Sequence, residues 1–179
     1  MNNFTVDNTW QRKERDRLLK TFYLSKGLNG RFVFVDKGKL ADVLQKELAI
    51  DTVLQIRDNG IVGIEEKIVR WPGYTYTNYT LELMSCTVPG YERMGWMYYA
   101  KCDVLLYCFM QEDGSMDAHA LPFPKLQEWF FSDDRYLQYK STITHQINKT
   151  ECKIIPIADI WRDIPKCKKF HITEANNGN

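Results

Sequence analysis

The sequence predicts an α/β or α+β fold: a mixed central sheet of about five strands flanked by helices. Three observations carry that expectation. Ile50 to Arg70 reads as a β-hairpin, two runs rich in β-branched residues on either side of Asp58-Asn59-Gly60. Lys39 to Leu48, just before it, places Leu40, Val43, Leu44 and Leu48 on one face of a helix. Lys101 to Met110, KCDVLLYCFM, has the near-continuous apolar content of a core strand in a mixed sheet, with Asp103 as its only acid.

A chain of 179 residues suits one domain with a proper core. Apolar residues make up 44% and charged residues 26%, which excludes a disordered segment. The formal net charge of +1 argues against a protein that coats nucleic acid through bulk charge, while leaving room for a local basic groove. The five cysteines form no CxxC pair and are odd in number, and no secretory signal is evident, so the expectation is reduced thiols and a cytoplasmic protein. No apolar run is long enough to span a bilayer, so no membrane partner is expected.

In chain order, residues 1–8 read as a loose leader, 9–165 as the single domain and 166–179 as a basic, then polar, tail. Thr9 can cap a helix from Trp10 to about Leu24. Its charged run is either a solvated face or, through Arg12, Lys13 and Arg17, a contact to a DNA backbone. Lys26 to Gly30 is a turn, and Arg31 to Val35 a strand. Beyond the hairpin, Tyr79 to Met84 alternates as a strand beside it and carries Glu82, a carboxylate whose burial needs a partner or a metal. Trp96 to Ala100 form a short helix or irregular turn, and the aromatics of Trp96 to Tyr99, if exposed, offer a homodimer interface. Gln111 to Ser115 turns into a strand at Met116 to Leu121, and Pro122 to Phe131 reads as a helix. Thr150 to Ile157 reads as the last strand, and Ala158 to Asp163 as a short helix.

The hairpin concentrates the chemistry. A three-residue loop with Gly60 left-handed would pair Asp51 with Lys67 and Val53 with Glu65. One face then carries Ile50, Leu54, Ile56, Val62, Ile64 and Ile68, with Thr52 and Glu66 as its polar pair. The other carries Asp51, Val53, Gln55, Ile61, Gly63, Glu65 and Lys67. A one-residue change of register would separate Asp51 from Glu65. Two carboxylates can hold Mg²⁺ and leave positions for water and a phosphate, and a neighbouring lysine can position the water or offset transition-state charge.

An aspartate followed by Glu-x-Lys on the next strand resembles the PD-(D/E)XK nuclease superfamily, with Asp51, Glu65 and Lys67 as the matching residues and Ile50 where a proline often stands. The resemblance covers roughly Lys39 to Phe109. It implies a restriction-endonuclease-like fold and a Mg²⁺- or Mn²⁺-dependent endonuclease acting on nucleic acid, DNA before RNA. Asp51, Glu65 and the backbone carbonyl of Glu66 would hold the metal, and Lys67 would attend the water. Gln45, Glu47 and Glu82 are accessory candidates. The other reading is a non-catalytic binding or inhibitor protein that keeps the same fold, in a phage, mobile-element or defence setting. Phosphate-cradling glycine motifs are absent, and His119, His145 and His171 fall in no metal-binding pattern.

Overall fold

In the computed structural model, residues 3–26, 32–35, 39–55, 60–72, 75–143 and 148–173 are described. Asp58 and Asn59 of the expected hairpin loop, residues 27–30 of the expected Lys26–Gly30 turn, Arg31, His145 and the last six residues of the tail lie outside them.

The helical N-terminus starts earlier than expected. Helix α1 spans Asn3–Glu14, a π-helical stretch follows at Arg15–Leu19, and α2 runs over Lys20–Lys26. The supposed leader is therefore helical from Asn3 onward, since neither Pro nor Gly interrupts it. The remaining helices are α3 (Lys39–Lys46), α4 (Trp96–Tyr99), α5 (Phe123–Phe131) and α6 (Ile157–Asp163).

The strands form two sheets rather than one. The first orders β1 (Phe32–Phe34), β2 (Thr52–Gln55), β3 (Ile61–Val69), β6 (Val104–Met110), β7 (Met116–Pro122) and β10 (Lys168–Ile172) as β1-β2-β3-β6-β7-β10. It is mixed: β3 and β6 run parallel, and its other pairs are antiparallel. The second is antiparallel, ordered β5-β4-β9-β8 from β4 (Asn78–Cys86), β5 (Arg93–Met94), β8 (Ser141–Ile143) and β9 (Glu151–Pro156). Two expectations fall here. The Tyr79–Met84 strand does not lie beside the hairpin, because β6 occupies that edge of β3. Nor is β9 the last strand: Lys168–Ile172, inside the supposed tail, closes the first sheet against β7.

Each face of the six-stranded sheet has its own core. On one, Leu18, Leu19 and Tyr23 of the helical N-terminus pack on Leu54, Ile64, Ile68, Leu106 and Cys108. On the other, Leu105, Tyr107 and Phe109 meet Tyr79, Leu81 and Leu83 of β4, Trp96 and Met97 of α4, and Leu126 and Phe130 of α5. Trp96 and Met97 are 5% and 0% exposed. They belong to the core, so the proposed dimer patch is not an exposed surface; only Tyr99 of that run reaches solvent freely. All five cysteines are free thiols.

Candidate active site

The hairpin forms with a register different from the expected one. Val53 faces Gly63 and Gln55 faces Ile61, so Val53 sits two residues away from the expected partner Glu65. A shift of two keeps every side chain on its expected face. The exception is Ile50, expected on the apolar face with Leu54, Ile64 and Ile68. Its side chain covers Gly63 on the opposite face, where an added Cβ would come within 3.0 Å of Ile50 Cδ1. The cause is local: Ala49 takes φ 49°, and the chain bends through Asp51 before β2 begins at Thr52.

That bend places Asp51 against β3 by two bonds. Its N–H donates to the Ile64 carbonyl at 2.8 Å, and its Oδ2 accepts the Glu66 N–H at 3.0 Å. Its carboxyl lies in the field of the neighbouring Glu65 carboxyl. Burial, then the adjacent Asp51, pushes Glu65 well above the usual carboxylate range. Burial likewise raises Asp51, against the Glu66 N–H that favours its charge. Two neighbouring carboxyls resist simultaneous ionisation, a cost that a cation between them would offset. The N–H and C=O of one strand residue point the same way, so the Glu66 carbonyl is directed toward the Asp51 side of β3.

Lys67 lies on the same face as Glu65, opposite Tyr107 in the parallel β3–β6 pair. Burial opposes its charge, but the fields of Tyr107, Glu82 and Glu65 outweigh that and raise its pKa, which favours its charged form. Glu82 therefore joins the group from the second sheet. Its Oε1 takes a long 3.4 Å bond from the Trp96 N–H. Gly95 comes so close that an added Cβ would stand 2.5 Å from the Glu82 carbonyl oxygen. Tyr99, on α4, lies in the field of both Glu82 and Glu65, and nothing in the sequence singles it out for this role.

Glu66 projects to the helical face, as expected, and is tied there: Tyr23 and Thr52 hydroxyls each donate to Oε1 at 2.6 Å. Burial and the nearby Asp51 push its carboxyl up to about 7, against those two donors. Asp51 and Glu66 also line a cleft of about 240 Å³ with Gln11, Arg12, Arg15, Gln45 and Ile68. Gln45 is thus beside Asp51, while Glu47 is exposed and outside the cleft. Arg15, on the π-helical stretch, stacks over Phe34 at 4.2 Å, and the irregular turn aims it at the cleft. The three basic candidates part company. Arg12 lines the cleft and Lys13 is exposed, whereas Arg17 binds Glu14 at 2.6 Å and the Gly114 carbonyl at 2.8 Å, a structural tie.

Among the described residues no three His, Cys, Asp or Glu side chains already converge as a metal cage, and no helix is long and apolar enough to cross a membrane. His119 is buried with Nδ1 2.7 Å from the Tyr79 hydroxyl, and His171 meets Asp117, so both have structural partners. Compared with protein-family models, curated proteins and solved structures, the chain matches none.

Proposed function

We propose that this chain is a nuclease of the PD-(D/E)XK type with a restriction-endonuclease-like fold, a Mg²⁺- or Mn²⁺-dependent phosphodiesterase acting on nucleic acid, with DNA as the first substrate to test. The observation that supports it most is Asp51, held on the Glu66 N–H, in the field of Glu65, which shares its sheet face with Lys67. The donor set fits a hard divalent cation: two carboxyls whose joint ionisation is costly without one, and a backbone carbonyl directed to the same side. Asp51, Glu65 and the Glu66 carbonyl would hold the ion. Bound there, it would supply Lewis-acid polarisation of the phosphate and a more acidic water.

The protein's own groups do the rest. Lys67 has a raised pKa and so acts as a charge donor to a phosphate oxygen in the transition state, not as a base. The fields of Glu82 and Glu65 favour its charged form. Arg12, at the cleft that reaches Asp51, contributes a cation for the phosphate backbone. A panel of single-stranded, duplex and branched DNA and RNA, with Mg²⁺ or Mn²⁺, tests the reading. Wild type is expected to cleave at least one substrate, and Lys67→Met, which keeps the alkyl packing, to lose turnover. Equal cleavage by Lys67→Met, or no cleavage and no ion binding by wild type, would discard the nuclease and leave the binding-protein reading.

A further inference from the structure

A second pocket lies on the same sheet face as Lys67, one residue pair farther along β3 and β6. Lys67 pairs with Tyr107, and the next pair on that face is Val69 with Phe109. That is a step of about 7 Å. Phe109 forms the floor of a pocket of about 170 Å³. The volume is below the range typical of drug-sized ligands and suits one flat ring.

Its walls are aromatic. Tyr76 packs on Phe109 at 4.5 Å between ring centroids and is pinned by hydrogen bonds from its hydroxyl to the carbonyls of Arg70 and Val69. Trp71 meets Tyr76 at an interplanar angle of 72°, with 6.1 Å between ring centroids, and it is 36% exposed. His119 closes the back, 5.2 Å from Phe109. The polar groups gather at one side. Asp117 Oδ2 and Lys169 Nζ pair at 2.8 Å, and Gln111 donates one amide hydrogen to the Phe109 carbonyl, keeping its oxygen as an acceptor. An acceptor beside a donor at the rim of an aromatic slot is the pattern that reads the hydrogen-bonding edge of a heterocycle while its face stacks.

We infer that this pocket takes a single unstacked nucleobase of the nucleic acid whose phosphates reach Lys67: the base lies against Trp71 and Tyr76, and its edge meets Asp117, Lys169 and Gln111. The inference rests on nucleic acid as the substrate. It makes the substrate one with an accessible base, a single strand, a loop, an end or a flipped position, rather than an undistorted duplex.

The experiment reads binding and not cleavage, so its failure is separable from failure of the nuclease reading. The four mononucleotides AMP, GMP, CMP and UMP are titrated against the full chain without divalent ions, following tryptophan fluorescence, with ribose 5-phosphate as the control lacking a base. At least one mononucleotide is expected to bind tenfold or more tighter than ribose 5-phosphate. Trp71→Ala should weaken it by at least about tenfold, as the loss of one stacking partner does. Lys169→Ala, at an exposed position, should weaken it as well. Equal binding of ribose 5-phosphate, or nucleotide binding insensitive to both Trp71→Ala and Lys169→Ala, would overturn the proposal. Cleavage abolished by Lys67→Met together with no mononucleotide binding would leave the catalytic reading standing and the base pocket refuted.

Discussion

Thr52 Oγ1 donates a 2.6 Å hydrogen bond to Glu66 Oε1, while the Glu66 N–H goes to the side chain of the preceding residue, Asp51. One glutamate thus locks together both sides of the bend that carries the acid pair. Tyr23 completes the arrangement from α2. Removing either donor leaves a buried carboxyl oxygen short of a partner. Thr52→Val and Tyr23→Phe should each cost about 1–3 kcal/mol. Chemical denaturation of the two variants and of the double variant checks this; the double should cost more than the sum, since both donors serve one oxygen and each single variant leaves it the other.

Gly95 is held against Glu82 more tightly than any side chain allows. Its missing Cβ would stand 2.5 Å from a backbone oxygen, which cannot swing aside. Gly95→Ala should destabilise by about 1–3 kcal/mol, the usual range for overpacking. It should also displace Glu82 from the Trp96 N–H, so that in the same variant Lys67 loses one of the groups that hold its charge. Gly90, with positive φ but open space around its Cβ position, should cost only about 1 kcal/mol as Ala. Thermal melts of both variants separate packing from backbone strain.

His119 ties stability to pH. Burial, and then the positive charge of Lys169, lowers its pKa from 6.5 to about 4, with Asp117 pulling weakly the other way. The folded state therefore binds fewer protons than the unfolded state between those values. Its contribution to stability should be fully present above about pH 6.5 and fall by roughly 2–3 kcal/mol on acidification to about pH 4, opposed over part of that window by Glu66, whose carboxyl is pushed up to about 7. His119→Leu, less stable at pH 8 because Tyr79 and His119 no longer bond, should lose that contribution, so its deficit relative to wild type should shrink on acidification. Equilibrium unfolding at pH 4.5, 6 and 8 gives the comparison.

The hairpin and its two faces were legible because the apolar period fixes parity: Thr52, Leu54, Ile64, Glu66 and Ile68 all sit where alternation puts them. Alternation does not fix the absolute pairing, which is why Val53 met Gly63 instead of Glu65. Ile50 changed face through the positive φ of Ala49, an angle rare for alanine and unannounced by any glycine. The second sheet was hidden for a related reason, since Tyr79, Leu81 and Leu83 alternate identically whichever sheet they join. Lys168-Lys169-Phe170-His171-Ile172 reads as a basic tail, yet lysines on an edge strand are a common guard against further pairing. The lysine, acids and cleft glutamine were visible as residue types. Tyr23, Tyr99 and Arg15 were not, because only the packing of helices on the sheet brings them to the hairpin.

The acid pair makes the most demanding prediction. With no divalent ion, Asp51 and Glu65 repel each other once ionised, and burial compounds the cost. Asp51→Asn and Glu65→Gln keep shape and remove that repulsion, so in EDTA at pH 8 each should be as stable as wild type or more so, by about 1 kcal/mol, a gain often seen when a functional site is relaxed. Mg²⁺ or Mn²⁺ should reverse the order. Wild type gains stability by mass action, with a rise of roughly 2–4 °C in Tm for each kcal/mol, while the two variants gain little. Lys67→Met keeps both carboxyls and should respond to the ion at least as strongly as wild type, because a neighbouring positive charge has been removed. Thermal melts of the four proteins with and without the ion decide the matter. A Tm that rises equally in wild type, Asp51→Asn and Glu65→Gln would place the ion elsewhere and remove the acid pair from the site.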